Sequence, residues 1–403
     1  MNSSNSNIPV ILGGARTPFG RFRGGLSAFS SSGLGAHAIR AALERSGVRA
    51  DQVEAVVVGQ VFQAGAGQGP ARQASLGAGI GWDVPTVTVN KLCLSGLTAV
   101  IDAARMIRAG EADFVVAAGQ ESMTNAPHLL KGLRSGVSIG DTPLLDTLNH
   151  DGLQDPFNGQ LMGGATDAGN PGRGISRLEQ DEVAVRSHQR AEAARASGIL
   201  AEEIAALEVP QRKGPAVTLS DDEGIRPATT VDALSQLTPA FAKSQDATIT
   251  AGSSSPLSDG AAALVIASKS AADALGLEWI AEIGAHGQTA GPDGSLHSQP
   301  SRAIEAALKR EGITAAELDL IEINEAFASV VIQSARDLGV ETERVNAEGG
   351  AIALGHPVGA SGARLVLHQA LALKRRGGGT GVVALCGGGG QGDALIIKKL
   401  TGD

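Results

Sequence analysis

The chain repeats itself. Residues 38–62, AIRAALERSGVRADQVEAVVVGQVF, align without a gap on residues 303–327, AIEAALKREGITAAELDLIEINEAF, and nine of the 25 positions are identical. Ala-rich helices match by chance, so collinearity carries more weight than that count. Ser95-Gly96, which opens a helical run to Ala109, pairs with Ser361-Gly362, and Val115-Val116-Ala117 pairs with Val382-Val383-Ala384, all at nearly one offset. Three collinear matches point to duplication, and a duplicated chain is constrained to two similar halves.

Each half reads as a helix, a strand, a second helix, a strand, a Gly-rich loop, a third helix and another strand. Leu97, Val100, Ile101, Ala104 and Ile107 follow helical spacing. The helix from Ser361 closes on Lys374-Arg375-Arg376, which suits the negative end of its dipole, followed by Gly377 as a cap. Glu54 to Val58, Phe114 to Ala118 and Gly381 to Leu385 are short Val-rich runs. The alternation predicts an α/β fold with mixed, mostly parallel sheets. Collinearity fails after Gly119: the counterpart of Asp393 to Ile397 is Asp259 to Ile266, about 140 residues late. The predicted division is therefore 1–122 with 249–272 as the N-terminal half, 123–248 as an inserted loop domain, and 273–403 as the C-terminal half. A long insertion at the functional end of a strand is commonly a lid or ligand-binding element.

Composition narrows the function. A net charge of −9 without a basic stripe argues against binding a nucleic-acid backbone. Met1 to Val10 lacks Lys and Arg, no apolar run approaches the ~20 residues that span a bilayer, and Leu400-Thr401-Gly402-Asp403 is no evident address tag. The expectation is a cytoplasmic protein without a membrane partner. Two cysteines, Cys93 and Cys386, cannot build a disulfide framework. A lone Cys is most often a small core residue.

Position raises the odds for these two. In α/β sheets ligands lie beyond the carboxyl ends of parallel strands. Cys93 follows Val84 to Val89, Asn324 follows Leu318 to Ile323, His356 follows Arg344 to Asn346, and Cys386 follows Gly381 to Leu385. Cys93 also precedes the helix at Ser95, whose N-terminal dipole is expected to favour the nucleophilic thiolate. His356, in GGAIALGHPVGASG (349–362), could act as a base, as a donor to an oxyanion, or as both. The other histidines, such as His37 and His188, sit in ordinary helical or polar surroundings. GGGGQG (387–392) leads into an apolar, β-rich segment rather than a helix, so it is no dinucleotide fingerprint. Such a turn can aim backbone N–H groups at a ligand beside Cys386.

At these residues the chain resembles the thiolase family over nearly its whole length. NKLCLSG (90–96), NEAF (324–327), GHPVGASG (355–362) and LCGGG (385–389) carry the resemblance, and GQESM (119–123) and SDGAAAL (258–264) agree in order and spacing. The resemblance implies two α/β halves with a loop domain inserted in the first. It implies that Cys93 takes an acyl group as a thioester with help from His356, and that Cys386 exchanges a proton with the α-carbon of a second acyl-CoA. Asn324, through a water, and His356 would stabilise the enolate oxygen, and the N–H groups of Cys93 and Gly388 would form a second oxyanion hole. Met162, Arg226, Ala251, Ser255 and Phe327 would contact the acyl-CoA. Coenzyme A thioesters are then the substrates, no metal or other cofactor is called for, and the chain is expected as a homodimer or homotetramer. The implied reaction is the condensation of two acetyl-CoA to acetoacetyl-CoA, or its reverse. The alternatives are a degradative 3-ketoacyl-CoA thiolase of broader chain length and a catalytically silent acyl-CoA-binding relative. Four departures bear on the substrate. Leu94 is expected to crowd the acyl pocket, Leu161 stands where many short-chain relatives have His, Pro256 stiffens its loop, and Asn170-Pro171-Gly172 interrupts a usually helical start.

Overall fold

The structure is a computed structural model and describes residues 7–211 and 213–399. The leader expectation falls partly, and the Leu400–Asp403 expectation wholly, outside these residues. Among the described residues ten strands share one sheet. Its path runs Leu320–Ile323, Gly379–Gly387, Gln391–Lys399, Ala281–Ala290, Pro9–Arg16, Ser258–Ser268, Phe114–Ser122, Ala55–Gly59 and Thr86–Val89, with Gly20–Arg21 alongside Ser258–Ser268. The sheet is mixed. Parallel pairing joins the outer strands, and antiparallel pairing the inner ones. The two halves meet where Val10 and Ile11 pair with Glu282 and Ala281.

The halves match strand for strand except at one edge. Arg344 to Asn346, expected as a strand, makes only a single bridge, Ile321 to Val345. Asn346 turns away with φ near +54°, and its side-chain amide takes over the pairing. Its Oδ1 accepts the Ile323 N–H at 2.8 Å and its Nδ2 donates to the Ile323 carbonyl at 2.9 Å. An amide side chain offers the same donor and acceptor as a peptide, so the ladder ends without orphaned groups.

Strand residues alternate between two cores, as the period of two requires. Ala55 and Val57 face the central helices Ser95–Ala109 and Ser361–Arg376, and Val56 and Val58 face the outer helix Ser31–Ser46. Gln299–Glu311 covers the second half in the same way through Ala303, Ile304 and Ala307. The two central helices touch near their first turns. A Cβ on Gly96 would lie 2.7 Å from the Gly359 carbonyl, and one on Gly362 would overlap the Leu97 amide. Only glycine at both places lets the helix starts come this close, which draws the loops before them together.

After Ser122 the chain leaves the sheet, and it returns at Ser258. The intervening helix Arg177–Ala196 starts on a capping box in which Ser176 and Glu179 satisfy each other's backbone N–H groups. Asn170-Pro171-Gly172 separates this helix from Met162–Gly169. Asn170 is buried there, with Nδ2 donating to Thr248 Oγ1 at 2.9 Å and Oδ1 against His297 Nε2 at 2.9 Å. The interruption thus has a cause: it turns a polar side chain inward to tie three segments. Buried Arg16 binds Glu203 at 2.7 Å and Asp222 at 2.6 and 2.8 Å, holding this region to the first strand.

Candidate active site

The carboxyl ends of the strands and the starts of the two central helices surround one cavity of about 490 Å³. Cys93, His356, Cys386 and Gly388 line it, as do Met162, Arg226, Ala251, Ser255 and Phe327. Residues from 61 to 388 therefore meet in one space.

Cys93 sits on the turn ahead of Ser95, where Leu92 adopts φ near +52°. That turn is fastened from inside: Ser95 Oγ accepts the Lys91 N–H at 2.8 Å and donates to the Leu92 carbonyl at 2.6 Å. Lys91 Nζ reaches across to Asp393 at 2.7 Å, joining the turn to the second half. The expected thiolate bias from the helix start is overridden. Burial pushes the Cys93 thiol up to about 11, the Glu121 carboxylate adds to the rise, and the N–H groups of Cys93 and Gly388 pull against it. Apolar walls disfavour a thiolate more than two amides favour it. A thiol of this kind needs a partner to take its proton.

His356 follows the short helix Ala351–Leu354 rather than a strand. Its Nδ1 lies 2.6 Å from Ser361 Oγ, and that hydroxyl donates to the Pro357 carbonyl at 3.0 Å. The hydroxyl proton being committed, Nδ1 carries the hydrogen and Nε2 keeps its lone pair. Asn324 Nδ2 approaches Nε2 at 3.3 Å. Burial lowers the imidazole to about 4, so it is neutral at physiological pH and free to accept a proton. Asn324 is itself buried, and its N–H donates to the Ala384 carbonyl at 2.9 Å.

Cys386 closes the strand Gly379–Gly387 opposite Gly392 and is buried. Burial raises its thiol strongly, and Cys93 raises it further. Gly388 follows at the hairpin turn, where a Cβ would lie 2.6 Å from Leu92. A side chain here would press on the tip of the Leu92 side chain, so glycine eases the close approach of the two loops.

The cavity has two apolar sides. Cys93 packs with Val61, Phe62, Met123, Leu153 and Val358. Cys386 packs with Met162, Phe241, Leu296 and Phe327, and Phe241 meets Phe327 edge to face at 5.8 Å. Ser255 is held by its Oγ donating to the Ala326 carbonyl at 3.2 Å. Arg226 is exposed at the mouth, and its N–H donates to His188 Nδ1 at 3.2 Å, so His188 has a structural duty that its helical setting concealed. Leu94 does not crowd the cavity. It is fully buried beneath Gly387, where a Cβ would meet it at 2.7 Å, and Leu92 forms the wall instead. The positive φ of Leu92 is what reverses the expected facing. Leu161 lines the cavity and is exposed.

Among the described residues no group of three or more His, Cys, Asp and Glu side chains could hold a metal ion, and no helix is long and apolar enough to cross a membrane.

Two family models cover the chain: thiolase, N-terminal domain, over residues 9–270, and thiolase, C-terminal domain, over residues 277–399. The chain is 55% identical to a probable acetyl-CoA acetyltransferase of Mycolicibacterium smegmatis over 390 residues, which are 97% of this chain and 100% of that one. It is 56% identical to a probable acetyl-CoA acetyltransferase of Mycobacterium tuberculosis over 389 residues, 96% and 98% of the two chains. An acetyl-CoA acetyltransferase of Cupriavidus necator is 45% identical over 390 residues, 97% and 99% of the two.

Proposed function

The chain belongs to the thiolase family, and from that premise we propose that it is an acyl-CoA C-acyltransferase that condenses two acetyl-CoA into acetoacetyl-CoA and CoA, or runs the reverse thiolysis. The observation that supports this most is the meeting of two thiols and a neutral imidazole on one apolar cavity.

In this reading Cys93 passes its proton to His356 Nε2 and its sulfur attacks the thioester carbonyl. The tetrahedral oxyanion is held by the N–H groups of Cys93 and Gly388. Its collapse leaves acyl-Cys93, and the departing CoA sulfur takes the proton back from His356. Cys386 then passes its own proton to His356 Nε2 and, as thiolate, removes an α-proton from a second acetyl-CoA. The enolate oxygen is stabilised by His356 and by Asn324, through a bridging water. The α-carbon attacks acyl-Cys93, the new carbon–carbon bond forms, and the Cys93 sulfur leaves, taking the proton from His356 and restoring the starting thiol and imidazole. Splitting one difficult condensation into two steps needs two thiols with different tasks.

Met162, Ala251, Ser255 and Phe327 would line the pantetheine path, and Arg226 at the mouth would face the nucleotide end of CoA. The insertion 123–248 would supply the lid over the halves formed by 1–122 with 249–272 and by 273–403. The Phe62 ring lies against Gly152, where a Cβ would fall 2.6 Å from it, and this favours short acyl groups over the broader degradative range. Thiolysis rates on 3-ketoacyl-CoAs of increasing length test the point: the four-carbon substrate is expected to react fastest, and equal or faster rates on long chains would overturn the short-chain reading. We also infer a cytoplasmic homodimer or homotetramer. Exposed Leu133, Ile139 and Leu144 favour assembly, and a monomer by light scattering would contradict it.

A further inference from the structure

The strand Phe114–Ser122 runs directly under the loop that carries His356. A Cβ on Gly119 would overlap the Gly359 carbonyl and lie 2.7 Å from Ala360 Cα, so the two backbones touch. Two residues on, Glu121 is fully buried. Its Oε2 accepts the N–H of Val61 at 2.9 Å and of Gly359 at 3.0 Å, and its Oε1 accepts the N–H of Phe62 at 3.2 Å. One carboxyl from the first half thus joins the apolar wall beside Cys93 to the His356 loop of the second half.

We propose that Glu121 is a positioning residue for acyl transfer, pinning the Gly359 turn to the Val61–Phe62 wall so that His356 faces Cys93. This rests on the acyl-transfer reading above. The charged and titratable groups around it are few. Asp259, on the neighbouring strand one register place away, adds to the rise of its carboxyl, Cys93 feels its charge from the loop beside it, and Lys91 is engaged by Asp393. Burial raises the Glu121 carboxyl to about 8, against the pull of its three N–H donors. Above that pH it carries its charge beside Cys93, the sense in which it raises the thiol.

The test uses the full chain with two substitutions, Glu121→Ala and Glu121→Gln. The Ala variant removes the pin. It is expected to slow acetylation of Cys93 by acetyl-CoA, followed by quenched intact mass, by roughly tenfold or more while KM stays within about twofold, since misplacing a catalytic loop costs rate rather than remote binding. The Gln variant keeps one oxygen for Val61 and Gly359 but loses the charge. Its Cys93 is therefore expected to be alkylated by iodoacetamide at lower pH than in the unaltered protein, between about 8 and about 11. A merely structural lesion would not move that profile downward. Unchanged acetylation in Glu121→Ala, or an unmoved profile in Glu121→Gln, overturns the proposal; if Glu121→Ala does not fold, the Gln profile alone decides. Absence of acetylation in the unaltered protein would instead overturn the acyl-transfer reading itself.

Discussion

Removing one hydroxyl, in Ser361→Ala, tests how the imidazole is held. Ser361 Oγ sits 2.6 Å from His356 Nδ1, and both residues are buried, at 2% and 5% exposure, so no solvent replaces the lost acceptor. Two responses are open to the ring. It can keep its hydrogen on Nδ1 unpaired, or move it to Nε2, where it would confront the Asn324 amide that now approaches at 3.3 Å. Either way a buried N–H loses its partner, at a cost of about 1–3 kcal/mol. Borne by the catalytic step, that is roughly a fivefold to 150-fold loss of kcat. Thiolysis of acetoacetyl-CoA by the variant should show such a loss with KM little altered, because Ser361 does not line the cavity. Acetylation of Cys93 should slow in parallel. An Ala variant with unchanged kcat would refute the tautomer assignment, and a change in KM alone would move Ser361 from orienting the base to shaping the pocket.

Three other outcomes follow from the packing and the buried charges. Gly362→Ala places a methyl on the Leu97 backbone at the crossing of the central helices, so it should destabilise the protein by ~1–3 kcal/mol in denaturant unfolding and lower activity with it; neutrality would mean that the helices can part freely. His368 lies between Glu203 at 2.9 Å and Glu348 at 3.0 Å, and these partners, against the effect of burial, raise it to about 9 from 6.5. Its folded pKa is the higher one, so its stabilisation is complete below pH 6.5 and is lost as pH rises through about 9. His368→Gln should flatten stability against pH across that window, and an unaltered slope would contradict a charged His368. Cys386→Ala should abolish condensation by roughly a hundredfold to ten-thousandfold, the span of a lost acid–base group, and retained condensation would remove Cys386 from the proton transfer.

Much of this was legible in the sequence, and for identifiable reasons. Duplication showed as collinear matches because both copies keep the same helix and strand periods. Gly96 and Gly362, one from each of the pairs that matched in the repeat, stand where the helices touch. The candidate residues stood out because Cys93 and Cys386 are the chain's two cysteines and, with His356, they fall in or beside Gly-rich stretches at the ends of elements. What escaped depended on tertiary contact. Asn346 substitutes a side-chain amide for an edge strand, and no local pattern distinguishes the two. Leu94 points away because Leu92 takes a left-handed conformation that propensity would not assign to leucine. The rise of the Cys93 thiol follows from walls contributed by residues 61, 123 and 358, whose convergence a linear reading cannot weigh against a nearby helix start. Ser361 and Glu121 stood inside recognised motifs, yet the groups they hold come together only in the folded chain.

Covalent capture at Cys93 is the step on which the whole condensation depends. Incubating Cys386→Ala with acetyl-CoA, quenching in acid and mapping peptides by mass spectrometry should find one acetyl group on Cys93 and no acetoacetyl product. An unmodified Cys93, or an acetyl group carried by another residue, would contradict it.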